Sequence, residues 1–176
     1  MACTLISTGR ALPCKSSVGG LKAVYFASYG TLGDVTLTAG EVTAISGTPT
    51  LYKYDIKGNS SFETTINSSR ENGTTFYSQT LNLTLPVLDK ETQEQIKLLA
   101  AQNPHVIVED YNGNFLLIGL ENGAEVTGGT IVTGAAMGDL SGFTLTMEGQ
   151  EKAPAPFVVD TIITANEDPT QIDPNA

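Results

Sequence analysis

The sequence predicts a mainly β protein, an antiparallel β-sandwich or partly closed barrel with one flanking α-helix, on three observations. Asn-Gly dipeptides stand between apolar runs at Asn112-Gly113 and Asn122-Gly123. They are the strongest short-range hairpin signal, because a type I′ turn needs positive φ at both central residues. The run TTFYSQTLNLTLP at 74–86 alternates strictly: Tyr77, Leu81, Leu83 and Leu85 share one face, and Phe76, Ser78, Thr80, Asn82 and Thr84 the other. Period two with Thr-rich outward positions marks a half-buried antiparallel strand. One segment, DKETQEQIKLLAAQN at 89–103, has helical spacing, and Pro104 ends it.

Along the chain, residues 1–22 contain Gly9, Pro13, Gly19 and Gly20 without a clear apolar period and read as an extended N-terminal arm. A strand is expected at 21–28, two more at 34–37 and 41–45, and another at 51–56, ended by Lys57-Gly58-Asn59. In SFETTINSS, Phe62, Thr64, Ile66 and Ser68 share a face, and Arg70-Glu71-Asn72-Gly73 joins this strand to the next as a hairpin loop. Pro86 stops that second strand. Asp89 is placed to cap the helix, which presents the narrow stripe Ile96, Leu99 and Ala100. Such a helix, about 13 residues long, is marginal alone, so the stripe must lie on the sheet. Strands VIVEDY and NFLLIGLE and the run AEVTGGTIVT then form a meander leading to FTLTMEGQ. FLLIGL, apolar on both faces, is expected at the centre of a covered sheet. Apolar character returns at 157–164 after Ala153-Pro154-Ala155-Pro156, and the acidic, Pro-interrupted end is expected to stay disordered without a partner. The domain reading is an arm at 1–22, a β domain at 23–153, and a Pro-rich, acidic extension at 154–176.

Composition bounds the function. A 176-residue chain with 18 Gly fits one domain, able to bury roughly 70% of its unfolded surface without metal or disulfide. There is no run of about 18 apolar residues, so no transmembrane helix or membrane partner is expected. The start, MACTLISTGRALPCK, lacks the pattern of a signal peptide, and Cys3 and Cys14 are expected as reduced thiols in a cytosolic product. Four Asn-X-Ser/Thr sequons, at Asn59, Asn67, Asn72 and Asn82, are then turn and strand composition instead of glycosylation sites. The net charge is −10, and its placement is informative. Eight acidic and eight basic residues balance through Lys97; beyond it stand eleven acidic residues and Lys152 alone. Single-sign acidity, 7% aromatics and no Trp argue against a nucleic-acid-binding module.

No catalytic constellation emerges, so no enzyme activity and no cofactor or metal is expected. His105 is the only histidine, and nothing marks a nucleophile or orienting acid around it. Glu109 and Asp110, adjacent on a strand, point to opposite faces. Glu121 and Glu125 flank the Asn122-Gly123 turn as solvated residues that could approach each other. The glycine-rich loop 134–142 lacks the Gly-Lys-Ser/Thr ending and following helix of a phosphate cradle.

The segments NGTTFYSQTLNLTLPVLDKETQEQIKLLA, PHVIVEDYNGNFLLIGLENGAEVTGG and TGAAMGDLSGFTLTMEGQEKAPA, in that order, resemble the major tail or tail tube proteins of tailed bacteriophages. The likeness lies in the ordered set and covers about half the chain, with CKSSVGGLKAVYFASYGTLGDV matching more loosely. It implies a β-sandwich or partly rolled barrel with one flanking helix, and hexameric rings whose inner sheets join into a continuous barrel. It further implies stacking into a virion tail tube beside other tail proteins, assembled in a bacterial cytoplasm and conducting DNA without specific binding. An acidic lumen would let the DNA backbone slide without sticking. Glu109, Asp110, Glu121, Glu125 and Asp139 are the candidate lumen-facing residues. The competing expectations are a ring-forming connector, terminator or baseplate component on the same fold, and, from another class, a carbohydrate-binding β-sandwich.

Overall fold

A computed structural model describes residues 6, 8–56 and 58–171. Cys3 and Lys57, and the last five residues of the chain, lie outside the described residues. The chain is mainly β and forms two sheets with no closed barrel. The strands are β1 (Leu21–Ala27), β2 (Val35–Thr38), β3 (Glu41–Ile45), β4 (Tyr52–Asp55), β5 (Ser61–Ser69) and β6 (Thr74–Pro86). They continue with β7 (His105–Asp110), β8 (Phe115–Ile118), β9 (Glu125–Val132), β10 (Gly142–Glu151) and β11 (Phe157–Val158). The helices are α1 (Lys90–Ala100) and α2 (Asp160–Asn166).

A seven-stranded sheet runs β2-β3-β11-β8-β7-β1-β4, and a four-stranded sheet runs β5-β6-β10-β9. Period-two alternation in β1, β7 and β8 feeds two separate cores. Val24, Phe26, Val106, Val108 and Ile118 meet Leu81, Leu83, Leu85, Phe143, Leu145 and Met147 from the smaller sheet. Tyr25, Ile107, Phe115 and Leu117 instead face Leu32, Leu51 and α2's Ile162 and Ile163. The larger sheet is therefore covered on both sides, as the doubly apolar FLLI of β8 requires. Helix α1 starts where Asp89 accepts hydrogen bonds from the Thr92 backbone N–H and hydroxyl. It is anchored by Ile96 with Leu99 beside it, while Ala100, expected on the same stripe, is exposed.

Two expectations are corrected. The segment after Ala153 is no peripheral extension as far as residue 168: β11 pairs parallel with β3 and antiparallel with β8, at the centre of the seven-stranded sheet. Ile162 and Ile163 are buried, and Leu51 exchanges backbone hydrogen bonds with Asn166 and Asp168. The sequence 157–164 is apolar enough for a strand, but Val159 starts a helix after two strand residues. The second correction concerns the meander. β7 and β8 form a hairpin through Asn112-Gly113, but Asn122-Gly123 is no hairpin turn, since β9 belongs to the other sheet.

That sheet-switching crossover is built from buried polar groups. Gly119 has φ +70°, and a Cβ there would stand 2.3 Å from the Gly123 carbonyl carbon, so no side chain fits. Its N–H donates to Gln79 Oε1 at 3.0 Å, and its carbonyl accepts from His105 Nδ1 at 2.7 Å. His105 Nε2 in turn accepts from the Gly30 N–H at 3.1 Å, which assigns the neutral tautomer with the proton on Nδ1. The buried Glu151 carboxylate takes the N–H groups of Glu121 and Asn122, and Tyr29 donates to the Glu121 carbonyl while stacking on His105.

Truncation after Lys152 removes β11 and uncovers the second core, and is expected to abolish cooperative unfolding in a denaturant titration. Ile163→Ala is expected to cost about 2–5 kcal/mol in the same assay; a loss within 0.5 kcal/mol would place the C-terminal segment outside the core. Burial lowers the His105 pKa from its ordinary 6.5. The unfolded chain then binds the proton more readily, so stability falls as pH drops below 6.5 toward the folded value. His105→Gln is expected to flatten that slope in stability measured between pH 7.5 and 5.

Candidate assembly edges and an acidic open face

The four-stranded sheet ends in two long unpaired strands. Strand β5 hydrogen-bonds only to β6, and β9 only to β10, so each leaves one row of backbone donors and acceptors without a strand partner among the described residues. Long edges are normally blunted by Pro or Lys, and SFETTINSS and EVTGGTIV contain neither, although a bulge opposite Thr146 and Met147 bends β9. Both edges also carry a core-face residue with nothing over it. Ile66 lies on the side of Leu81 and Tyr77 yet is 65% exposed, and Ile131 pairs with the buried Phe143 yet is 56% exposed. The sandwich is incomplete at both edges of the smaller sheet.

Register determines how such edges can meet. All pairings in this sheet are antiparallel, so β5 and β9, separated by two strands, run in opposite directions. A rotated second copy therefore brings its β5 to the first copy's β9 as an antiparallel pair. The edges are also staggered. β5 lies against Thr74–Asn82 of β6, whereas β9 lies beyond β10 at the level of Thr80–Pro86. Strand stagger is what closing a sheet into a barrel demands. Beyond Tyr77, where β10 ends, β5 and β6 continue as a two-stranded ribbon with Phe76 exposed on its far side.

The sheet face turned away from the core has uniform chemistry. The direct pairs there are Ser61–Asn82, Glu63–Thr80, Thr65–Ser78, Thr84–Thr144, Thr80–Glu148 and Glu125–Glu148. Glu63, Glu125 and Glu148 are its charges; no strand residue on it is Lys or Arg. Ser78 donates to Glu148 at 2.8 Å, Thr146 to Asn82 at 3.1 Å, and the Thr130 and Thr144 hydroxyls bond each other. It is an acidic, hydroxyl-rich surface without an aromatic platform except Phe76 at its end.

Of the five carboxylates singled out by sequence, only Glu125 lies on this face. Glu109 is buried, bonded to Lys22 Nζ at 2.6 Å and to the Tyr25 hydroxyl at 3.2 Å, so it offers no free charge to a lumen. Contact with Glu109 raises the Lys22 pKa, and burial first, then Glu109, raises that of Tyr25. Asp110 organises the β7–β8 turn. Burial pushes its carboxyl up, but hydrogen bonds from Asn114 and Asn112 outweigh this and hold it below the ordinary range. Asp139 does the same for the β9–β10 loop, lowered by the Ala136 and Ala135 N–H groups. Glu121 and Glu125 turn to different partners: Glu121 pairs with Lys152 at 3.5 Å, Glu125 with the Asn103 amide at 3.4 Å. Glu63 and Glu148 were missed, although alternation carried the signal: Glu63 follows Phe62, and Glu148 follows Phe143, Leu145 and Met147 out of phase.

Cys14 is an exposed free thiol, and among the described residues no group of three or more His, Cys, Asp or Glu is arranged to hold a metal ion. Comparison with known protein families finds no matching model, and comparison with curated proteins and with solved structures finds no match.

Proposed function

We propose that this chain is a structural subunit that joins copies of itself side by side through β5 and β9, closing a ring around an acidic bore. Stacked rings would form the tail tube of a tailed bacteriophage and conduct its DNA. The observation that carries the reading is a sheet with an even number of strands and two open, oppositely directed edges, each with an uncovered core-face isoleucine. An even count lets strand alternation continue unbroken from copy to copy, and pairing satisfies the free backbone groups of both edges. If the four-stranded sheets form the inner wall, the open face with Glu63, Glu125 and Glu148 lines the bore. Carboxylates there repel phosphate, and hydroxyls remain wetted without gripping, which suits passage over retention. The sixfold symmetry rests on the family resemblance.

Charging the edges tests assembly. Ile66→Lys and Ile131→Lys replace exposed side chains, so each is expected to change stability by less than about 0.5 kcal/mol. Each is expected to abolish rings in electron microscopy and to remove ring-sized species in sedimentation. Rings that persist in both variants would refute the edge-to-edge seam.

Reversing the bore tests the conduit. Glu63→Lys with Glu125→Lys and Glu148→Lys is expected to leave rings intact and to make assembled protein retain double-stranded DNA in low salt, releasing it as salt rises. Assembled variant protein that still ignores DNA at about 50 mM salt would place these residues away from any DNA path.

A further inference from the structure

Among the described residues, the N-terminal arm is hydrogen-bonded to its own body at Val18. The Asn112 side chain accepts from the Val18 N–H at 3.0 Å and donates to the Val18 carbonyl at 2.8 Å, acting as a one-residue strand partner. Residues 8–20 are otherwise exposed, with Leu12 98% and Ile6 95% accessible. The arm's charge is one-sided: Arg10 and Lys15 are its ionic side chains, and the first acidic residue of the chain is Asp34. Neither cation is ion-paired among the described residues. A segment with apolar side chains and only positive charge, attached to an acidic protein, has chemistry complementary to the body it projects from.

A matching receiver lies on the seven-stranded sheet. An open groove of about 440 Å³ has Phe115, Phe157 and Val159 along it, with Glu41 and Asp160 at its sides and no basic residue in its lining. Phe157 is half exposed although its strand is central in the sheet. We propose that the N-terminal arm of one copy lies in this groove of a second copy, Leu12 against Phe157 and Arg10 and Lys15 toward Glu41 and Asp160. The occupant comes from another copy because the arm leaves its own groove open: residues 8–20 are exposed, Leu12 is 98% accessible and Phe157 is half exposed. The exchange requires only a second copy, so it stands apart from the edge-to-edge seam.

Charge exchange and cross-linking test it on the full-length chain. Arg10→Glu with Lys15→Glu is expected to weaken self-association about tenfold in sedimentation equilibrium, as is Glu41→Lys with Asp160→Lys, since each turns attraction into repulsion. Combining all four is expected to restore association. Glu41→Lys alone serves as the groove variant should the change at Asp160 disturb α2. Separately, two single-cysteine proteins lacking Cys3 and Cys14, one carrying Leu12→Cys and the other Phe157→Cys, are expected to form a disulfide-linked heterodimer on mixing. Three results would overturn the exchange: wild-type protein that stays monomeric, no rescue in the fourfold variant, or a disulfide that forms only within one chain carrying both cysteines. Charged-arm variants that still form rings would show the β5–β9 seam intact, whereas Ile66→Lys protein that keeps the cross-link would separate the two contacts.

Discussion

The architecture depends on the second place where the chain leaves the larger sheet for the smaller, between Gly119 and Ala124. Had β9 paired with β8, only β5 and β6 would have been left to cover the first core. The switch instead lays β9 and β10 over β1, β7 and β8, sealing the first core. It is costly because backbone groups of a tight turn enter the interior, where an unsatisfied donor or acceptor costs about 1–3 kcal/mol. Gln79, His105 and Glu151 meet that requirement, and no buried side-chain polar atom among the described residues lacks a partner. The single histidine is therefore a fixed hydrogen-bond adaptor between the turn and Gly30, whose N–H requires its neutral form.

Local signals in the sequence reached the elements but not their partners. Alternation in 74–86 and 61–69, the Asp89 cap, Pro104 and the Asn112-Gly113 turn each act over a few residues, and each element formed where they put it. Asn122-Gly123 misled because the dipeptide specifies positive φ, not the strand that follows. Gly123 does take φ +75°, but close against the Asn103 carbonyl, in a connection between sheets. The C-terminal segment was illegible for a related reason. Two strand residues flanked by Pro-rich chain and a two-turn helix have no period to read. Their place between β3 and β8 comes from the buried contacts of Val158, Ile162 and Ile163.

Charge shows the same limit. The acidic surplus of the second half is real in sequence, but folding spends its members on different tasks. Glu109 neutralises Lys22, Asp110 and Asp139 bind loop amides, and Glu151 closes the crossover. What remains on the open face combines Glu63 from the charge-balanced half with Glu125 and Glu148. Strand phase, not regional composition, decides which carboxylates share a surface. The five residues chosen by region and the three placed by alternation overlap only at Glu125.

An open sheet edge is a hazard unless something selects its partner. In the proposed assembly the selection would be divided among independent features. Strand direction allows β5 to meet β9 but makes β5 with β5 a parallel pairing under the same rotation, and the stagger favours closure over indefinite flat growth. The exposed isoleucines reward contact only when the core faces of both copies are aligned. A cationic arm engaged in a neighbour's groove would hold two copies together while their edges find register, raising the effective concentration of one edge at the other. In the proposed assembly each contact alone would be weak, which would keep the subunit from assembling before both engage. Joined, they would discriminate in favour of a second copy of this chain, because an unrelated sheet edge would lack both the groove and the matching stagger.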